Sequence, residues 1–333
     1  MRHKNSISYS KYGYIFALPF FLAFTIFTLY PTIYTAMLGF TDSQGLGGMQ
    51  HFNFLEEDRF SNFRFVLENQ SFRAAFFNTF SIWILNFIPQ MTLALLLAAW
   101  FTSRRMNIRG KGFFKILFYM PNIITAASIA ILFNALFAFP ISPVNSILEL
   151  FGRDPVNFLT RAEASRAIVI FIQFWIWYGY TMIILIAGIN GISPDLYEAG
   201  EIDGATGLQA FFRITLPNLR MVMLFLLVTS LIGGLNVFDV PRLFNNGGPA
   251  SATTTLALFI FNWAFTGRYV YALASAASMI MFAVIAVISG GMFFLLRDHD
   301  EARLQKEAKK LRKHLRKVEK ENRVNKRSEG VTT

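Results

Sequence analysis

The sequence predicts an all-α polytopic membrane protein with six transmembrane helices. Three observations predict it. Of 333 residues, 54% are hydrophobic and 15% charged, against about 25% charged in a typical soluble domain. Phenylalanine accounts for 38 residues, more than a water-facing surface tolerates, so most apolar side chains face lipid or one another. Finally, six segments reach the length of about 20 mostly apolar residues that a spanning helix needs.

In order, the segments are Tyr12 to Gly39, Thr79 to Thr102, Phe113 to Phe139, Ala167 to Ile189, Leu219 to Phe238 and Tyr271 to Leu296. The first follows Arg2, Lys4 and Lys11, as a secretory leader would. Its apolar run exceeds the usual 7–15 residues of a leader, and no small-x-small cleavage site ends it, so it is expected to be retained. Orientation follows from Lys and Arg. The loop from Ser103 to Gly112 carries Arg104, Arg105, Arg109 and Lys111, and the chain after Arg297 is denser still in positive charge. Both are expected on the cytoplasmic side, which puts both termini inside. The loop between the first two helices is instead net acidic. Residues 1–297 then form one transmembrane domain, and residues 298–333 a basic cytoplasmic tail.

In that tail, Leu304, Ala308, Leu311 and Leu315 recur at helical spacing among Lys309, Lys310, Arg312, Lys313, Arg316 and Lys317. Two readings fit: a helix lying on anionic lipid or a partner, or a solvated extension that helps fix topology. The net charge of +11 follows from this cytoplasmic bias, and no soluble domain remains to bind nucleic acid.

Composition also excludes chemistry. There are no cysteines, hence no disulfides, zinc–thiolate sites or thiol catalysis. His3, His51, His299 and His314 fall outside every apolar segment, which removes an intramembrane histidine relay. No Gly-x-x-x-x-Gly-Lys-Ser/Thr loop is present, since Arg109-Gly110-Lys111-Gly112 lacks the upstream glycine and the hydroxyl residue. The chain is not expected to be an enzyme. No charge lies deep in an apolar segment, where a proton- or sodium-driven carrier usually needs one, so an external motor is expected.

The loop between the fourth and fifth segments carries most information. Ser193 suits an N-cap, Pro194 the first helical position, and Asp195 the positive end of the helix dipole. Gly204 suits a helix stop. Gln209 to Thr215 can form a second short helix, and Pro217 can open the fifth membrane helix. The expected product is an amphipathic helix-turn-helix knob that fits a partner's groove.

Glu198-Ala199-Gly200, Asp203-Gly204-Ala205 and Ile214-x-Leu216-Pro217 resemble the "EAA" loop of binding-protein-dependent ABC importer permeases, with Gly200 in place of the usual second Ala. Other stretches resemble the maltose-type sugar permeases: Phe76-Phe77-Asn78-Thr79, Tyr119-Met120-Pro121, Phe238-Asp239, Gly247-Gly248-Pro249, Thr253-Thr254 and Tyr271-Ala272-x-Ala274. The resemblance covers most of the chain up to the sixth helix. It implies the ABC type I importer permease fold, with the loop as a coupling helix docking into a cleft on an ATP-binding subunit. It also implies the partners: a second homologous permease, two ATP-binding subunits, an extracellular solute-binding protein and a sugar. ATP and Mg would be used by the ATP-binding subunits, and this chain would hold no cofactor.

By matching the family's segments, Trp175, Tyr180 and Ser230 fall where disaccharide permeases hold sugar. Aromatic faces suit the C–H faces of sugars, and Tyr and Trp tips donate hydrogen bonds. Trp175 and Tyr180 are five residues apart, about 140° around a helix, so a shared cavity needs a broad sugar or a kink near Gly179. Thr229, Ser230, Gly233, Gly234 and Asn236 offer an opposite wall. Ordinary helix packing explains the same aromatics, and close helix approach the Gly233-Gly234 pair. Asp239 suits either a contact with the binding protein or a hydrated interface. A phosphorylated polyol would call for cations in the path, and the helices supply none. A motor-free facilitator or sensor would have no use for a docking knob.

Overall fold

The computed structural model describes residues 10–50, 52–103, 109–296 and 311. Leu311 is helical and exposed. The rest of the 298–333 tail, the four histidines, Arg104 and Arg105 lie outside the described residues. Among the described residues every regular element is a helix, and the one β-bridge joins Thr41 and Phe54.

The helices are α1 (Ser10–Phe24), α2 (Tyr30–Leu38), α3 (Ser61–Glu68), α4 (Gln70–Thr102), α5 (Lys111–Ile123), α6 (Ala126–Leu136), α7 (Pro143–Leu150), α8 (Ala162–Asn190), α9 (Pro194–Ile202), α10 (Gly207–Ala210), α11 (Leu216–Asn218), α12 (Arg220–Leu235), α13 (Asp239–Asn245), α14 (Leu256–Phe265) and α15 (Tyr271–Leu296). A wide π turn, Thr25–Leu29, joins α1 to α2, and another, Phe211–Thr215, joins α10 to α11.

Four continuous stretches are long and apolar enough to cross a membrane: Tyr12–Leu38, Gln70–Thr102, Ala162–Asn190 and Tyr271–Phe294. Counting each of two bent pairs as one span gives up to six: α5 with α6, bent by 88°, and the Gly207–Asn218 stretch with α12, bent by 64°. The expected third span, Phe113 to Phe139, is therefore not one helix. Ile124 and Thr125 take extended backbone, and the Thr125 hydroxyl accepts from the Ser128 amide at 3.2 Å, so it caps a new helix. The expected fifth span is also shorter. It stops at Leu235, and Phe238 caps α13 instead of ending the span. The second span is longer than expected, because Asn69 caps it at 3.1 Å from the Phe72 amide.

Helices α4 and α8 form the central pair and run in the same direction. Asn78 meets Arg166 near one end, and Gln90 meets Thr181 further along. Gly179 lets α5 approach α8: a Cβ there would lie 2.2 Å from the Phe118 carbonyl oxygen. At the end where α8 stops, the 193–217 loop projects. At the opposite end, the loop after α2 is tied to the start of α15 by Ala272 N donating to Ser43 O at 3.0 Å. None of the apolar window of the Tyr12–Leu38 span is buried within the chain.

Candidate functional site: a central polar cavity and a projecting loop

Between α4, α8 and α12 lies a cavity of about 230 Å³. Each helix contributes residues at helical spacing, so the wall follows from periodicity. From α4 come Ile82, Trp83, Asn86 and Gln90; from α8, Gln173, Trp177, Tyr180 and Thr181; from α12, Leu226, Thr229, Ser230, Gly233 and Gly234. Positions 173, 177, 180 and 181 form one stripe of the 3.6-residue helix.

The wall is mainly apolar, set with amides and hydroxyls, and uncharged: among the described residues, no Lys, Arg, Asp or Glu lines it. Asn86, Gln90 and Gln173 are all buried. The Gln90 amide donates to the Thr181 hydroxyl at 2.7 Å, and the Trp83 indole N–H donates to Ser230 Oγ at 3.2 Å. Asn86 turns its Nδ2 back to the Ile82 carbonyl at 2.7 Å. Among the described residues, the Gln173 amide makes no hydrogen bond, although only 6% of the residue is exposed. Gly234 gives the Trp83 indole its place, since a Cβ there would fall 2.2 Å from Trp83 Cδ1. The Trp177 and Tyr180 rings meet edge to face at 6.0 Å.

Tyr180 and Ser230, two of the three residues singled out in the sequence, line this cavity. Trp175 does not. It packs against Phe133 of α6, ring centroids 5.8 Å apart. The five-residue offset is the reason: no kink at Gly179 brings Trp175 round, and Trp177, three residues before Tyr180, takes the cavity face. Sequence reasoning placed Trp177 in an aromatic run of α8 without singling it out, and it missed the amides Asn86, Gln90 and Gln173. Their signal was present, because amides inside apolar spans mark functional positions by their cost.

The 193–217 loop has the local chemistry its residues call for. Ser193 Oγ accepts from the Asp195 amide at 3.3 Å, and α9 ends before Gly204, whose φ of +76° is the left-handed turn glycine favours. Thr206 and Gln209 form a reciprocal capping box that starts α10. The two halves then fold back on each other. Tyr197 Oη and Thr215 Oγ1 are 2.9 Å apart, and Ala205 N donates to Gly200 O at 2.9 Å. A Cβ on Gly200 would meet Ile214 Cδ1 at 2.8 Å, so the small residue seats the isoleucine. The surface that faces away is apolar and acidic: Ile202 is 88% exposed and Leu208 74%, and Leu196, Glu198, Glu201, Asp203 and Phe212 are exposed beside them. Pro217 lies in the three-residue α11, and the break at Leu219 separates it from α12. It lies two residues before that break and does not start α12.

An uncharged cavity inside a bundle of up to six spans, with a projecting loop at one end, has the architecture of a membrane permease component. The chain belongs to the family described as the binding-protein-dependent transport system inner membrane component, whose model matches residues 79–304. Among relatives, it is 29% identical to the lactose transport system permease protein LacF of Rhizobium radiobacter, over 87% of this chain and 95% of that one. It is 30% identical to the arabinooligosaccharides transport system permease protein AraP of Bacillus subtilis, over 84% and 88%. A crystal structure of a bacterial ABC transporter that imports the acidic polysaccharide alginate contains a chain of the same fold. The TM-score is 0.73 at 27% identity, covering 86% of this chain and 95% of that one. The fold is that of an ABC type I importer permease. No group of three or more His, Cys, Asp or Glu among the described residues is placed to hold a metal.

Proposed function

We propose that this chain carries an uncharged sugar or oligosaccharide through the α4–α8–α12 cavity, across a bacterial plasma membrane. The solute is handed over by an extracellular binding protein. A second, homologous permease completes the pathway, and two ATP-binding subunits, which use the ATP and Mg, drive it. The 193–217 loop is the coupling element, through Glu198, Ala199, Gly200, Asp203, Gly204, Ala205, Ile214, Leu216 and Pro217. With that loop facing the ATP-binding subunits, both termini are cytoplasmic, in keeping with the basic residues of the 103–112 loop and of the chain after Arg297.

The observation that carries the reading is the wall: amides, hydroxyls and two indoles set among apolar residues, with no charge. Sugars offer C–H faces for stacking and hydroxyls for amides. The lactose and arabinooligosaccharide systems named among the relatives support a saccharide as the solute. A phosphorylated or acidic solute would meet no cation in this cavity, which disfavours that alternative. A passive facilitator or sensor is disfavoured by the exposed, motif-bearing knob.

The test is uptake at saturating solute by the assembled transporter. Loss of one aromatic stacking face costs about 1–3 kcal/mol at comparable base-stacking sites, so Trp177→Ala and Tyr180→Ala are each expected to slow uptake about tenfold. Trp175→Ala, which alters packing on Phe133 outside the cavity, is expected to stay near the parent rate. Parent-like uptake by both Trp177→Ala and Tyr180→Ala would remove the cavity from the solute path.

A further inference from the structure

The connection between α6 and α8 contains the short helix α7, at the end opposite the 193–217 loop. Its depth is set by the start of α8. The Phe137 and Phe158 rings meet edge to face at 5.3 Å, four residues ahead of α8. Asn145 ties the two sides of the connection together. Its Nδ2 donates to Ala138 O at 3.2 Å, and its Oδ1 accepts from the Val156 amide at 2.9 Å. Helix α8 has 29 residues, about 43 Å at about 1.5 Å per residue, against a hydrocarbon core about 30 Å thick. Its exposed, charged start, Arg161 and Glu163, therefore lies among lipid headgroups, and α7 is held at that level.

Around α7 the side chains fall into three sectors. Val144, Asn145 and Leu148 turn inward and are buried or half-buried. Ser146 and Glu149, about 60° apart on a helix, are polar and exposed. Ile147 and Leu150, also about 60° apart, are apolar and exposed, with Pro143 between them. A surface helix in water needs only two sectors, one apolar and inward, one polar and outward. The third sector continues into both flanks: Ile141 is 87% exposed, Leu150 85% and Phe151 79%, and Phe139 is exposed as well. In chain order this patch follows Ile131 and Leu132 of α6, which are exposed within the third span and so face lipid.

We propose that α7 is an interfacial anchor, lying along the membrane surface opposite the 193–217 loop. Ile147 and Leu150 sink among the acyl chains, Ser146 and Glu149 stay in water, and Asn145 holds the helix to the bundle. Amphipathic helices in this setting bury the apolar face about 5–10 Å into the headgroup–acyl boundary. Lipid is the occupant because the patch lies at headgroup level and continues the lipid-facing third span, with a polar sector beside it. The anchor acts on the bundle through Asn145. It fixes the depth of the α6–α8 connection, and with it the depth of α8, which carries Gln173, Trp177, Tyr180 and Thr181 of the cavity wall.

The test uses the absence of cysteine from the sequence. Ser146→Cys, Ile147→Cys, Glu149→Cys and Leu150→Cys, all at exposed positions, each take one nitroxide spin label in the transporter assembled in lipid vesicles. Collision rates with oxygen, which concentrates among acyl chains, and with a water-soluble nickel chelate give the depth of each label. Labels at 147 and 150 are expected about 5–10 Å below the level of the phosphates, and those at 146 and 149 on the water side of it. Labels at 147 and 150 that meet the nickel chelate as freely as those at 146 and 149 overturn the anchor. Labels at 147 and 150 shielded from both reagents overturn it too, since a protein, the binding protein or the second permease, then covers the face. Where Ile147→Cys does not assemble, Phe151→Cys takes its place with the same outcomes.

Discussion

Glu198→Lys is expected to reduce uptake to background while the chain still inserts in the membrane at parent levels. Glu198 is exposed on α9, and Lys has nearly the same helix propensity as Glu, so the helix and its caps at Ser193 and Gly204 persist. What changes is the sign of one charge on the face that carries Leu196, Ile202 and Asp203. On a docking surface, like-charge juxtaposition disrupts register and partner choice more than it disturbs the fold. The measurement is co-purification of the ATP-binding subunits together with solute uptake. Parent values for both would mean that the 193–217 loop is not the coupling element.

Gly179→Ala is expected to act through the fold. The added Cβ would sit 2.2 Å from the Phe118 carbonyl oxygen and 2.9 Å from Tyr119 Cα. Both are backbone atoms of α5 and cannot rotate away, so α5 must move off α8. Overpacking of this kind costs about 1–3 kcal/mol or more, and the clash lies one residue from cavity residues Tyr180 and, on the other side, two from Trp177. A marked drop in the thermal midpoint of the detergent-solubilised chain is expected, with loss of assembled transporter. Gly290→Ala in α15, where a Cβ meets nothing within 4 Å, is expected to leave the midpoint in place. Equal midpoints for the two variants would mean that the α5–α8 approach is softer than the geometry implies.

The sequence revealed the spans better than their breaks. Segments such as Ala167 to Ile189 are uninterrupted apolar runs, and hydropathy reads those directly. The 88° bend between α5 and α6 is set by the Thr125 cap and extended backbone at Ile124, local polar contacts inside an apolar run. Helix α14 escaped because its ten residues are too few to span a bilayer, and its place depends on the Thr255 cap and on Trp263 packing against Phe259. At the candidate site, Tyr180 and Ser230 were legible from the resemblance. Trp175 packs on Phe133 instead of the cavity because α8 runs on without the kink near Gly179 that the 140° offset from Tyr180 called for. The loop was the most legible part, since caps, a left-handed glycine and a capping box are all encoded within a few residues of one another.

The Phe76-Phe77-Asn78-Thr79 stretch gains a physical meaning from the fold. Asn78 and Thr79 hold the segment after Gly247-Gly248-Pro249, so two sequence motifs more than 165 residues apart are halves of one hydrogen-bonded joint. Their pairing is invisible in either motif alone.

The uncharged wall has a consequence for selectivity. A carboxamide offers an acceptor on one side and two donors on the other, and turning it over exchanges them; a hydroxyl does both at once. Gln173 and Ser230 can therefore adapt to hydroxyls that point either way from a ring, and axial and equatorial epimers present nearly the same problem to them. An ion has no such accommodation here. On the reading proposed above, the pathway screens by charge and is nearly blind to stereochemistry, so the choice among saccharides is made before the solute arrives, by whichever receptor delivers it.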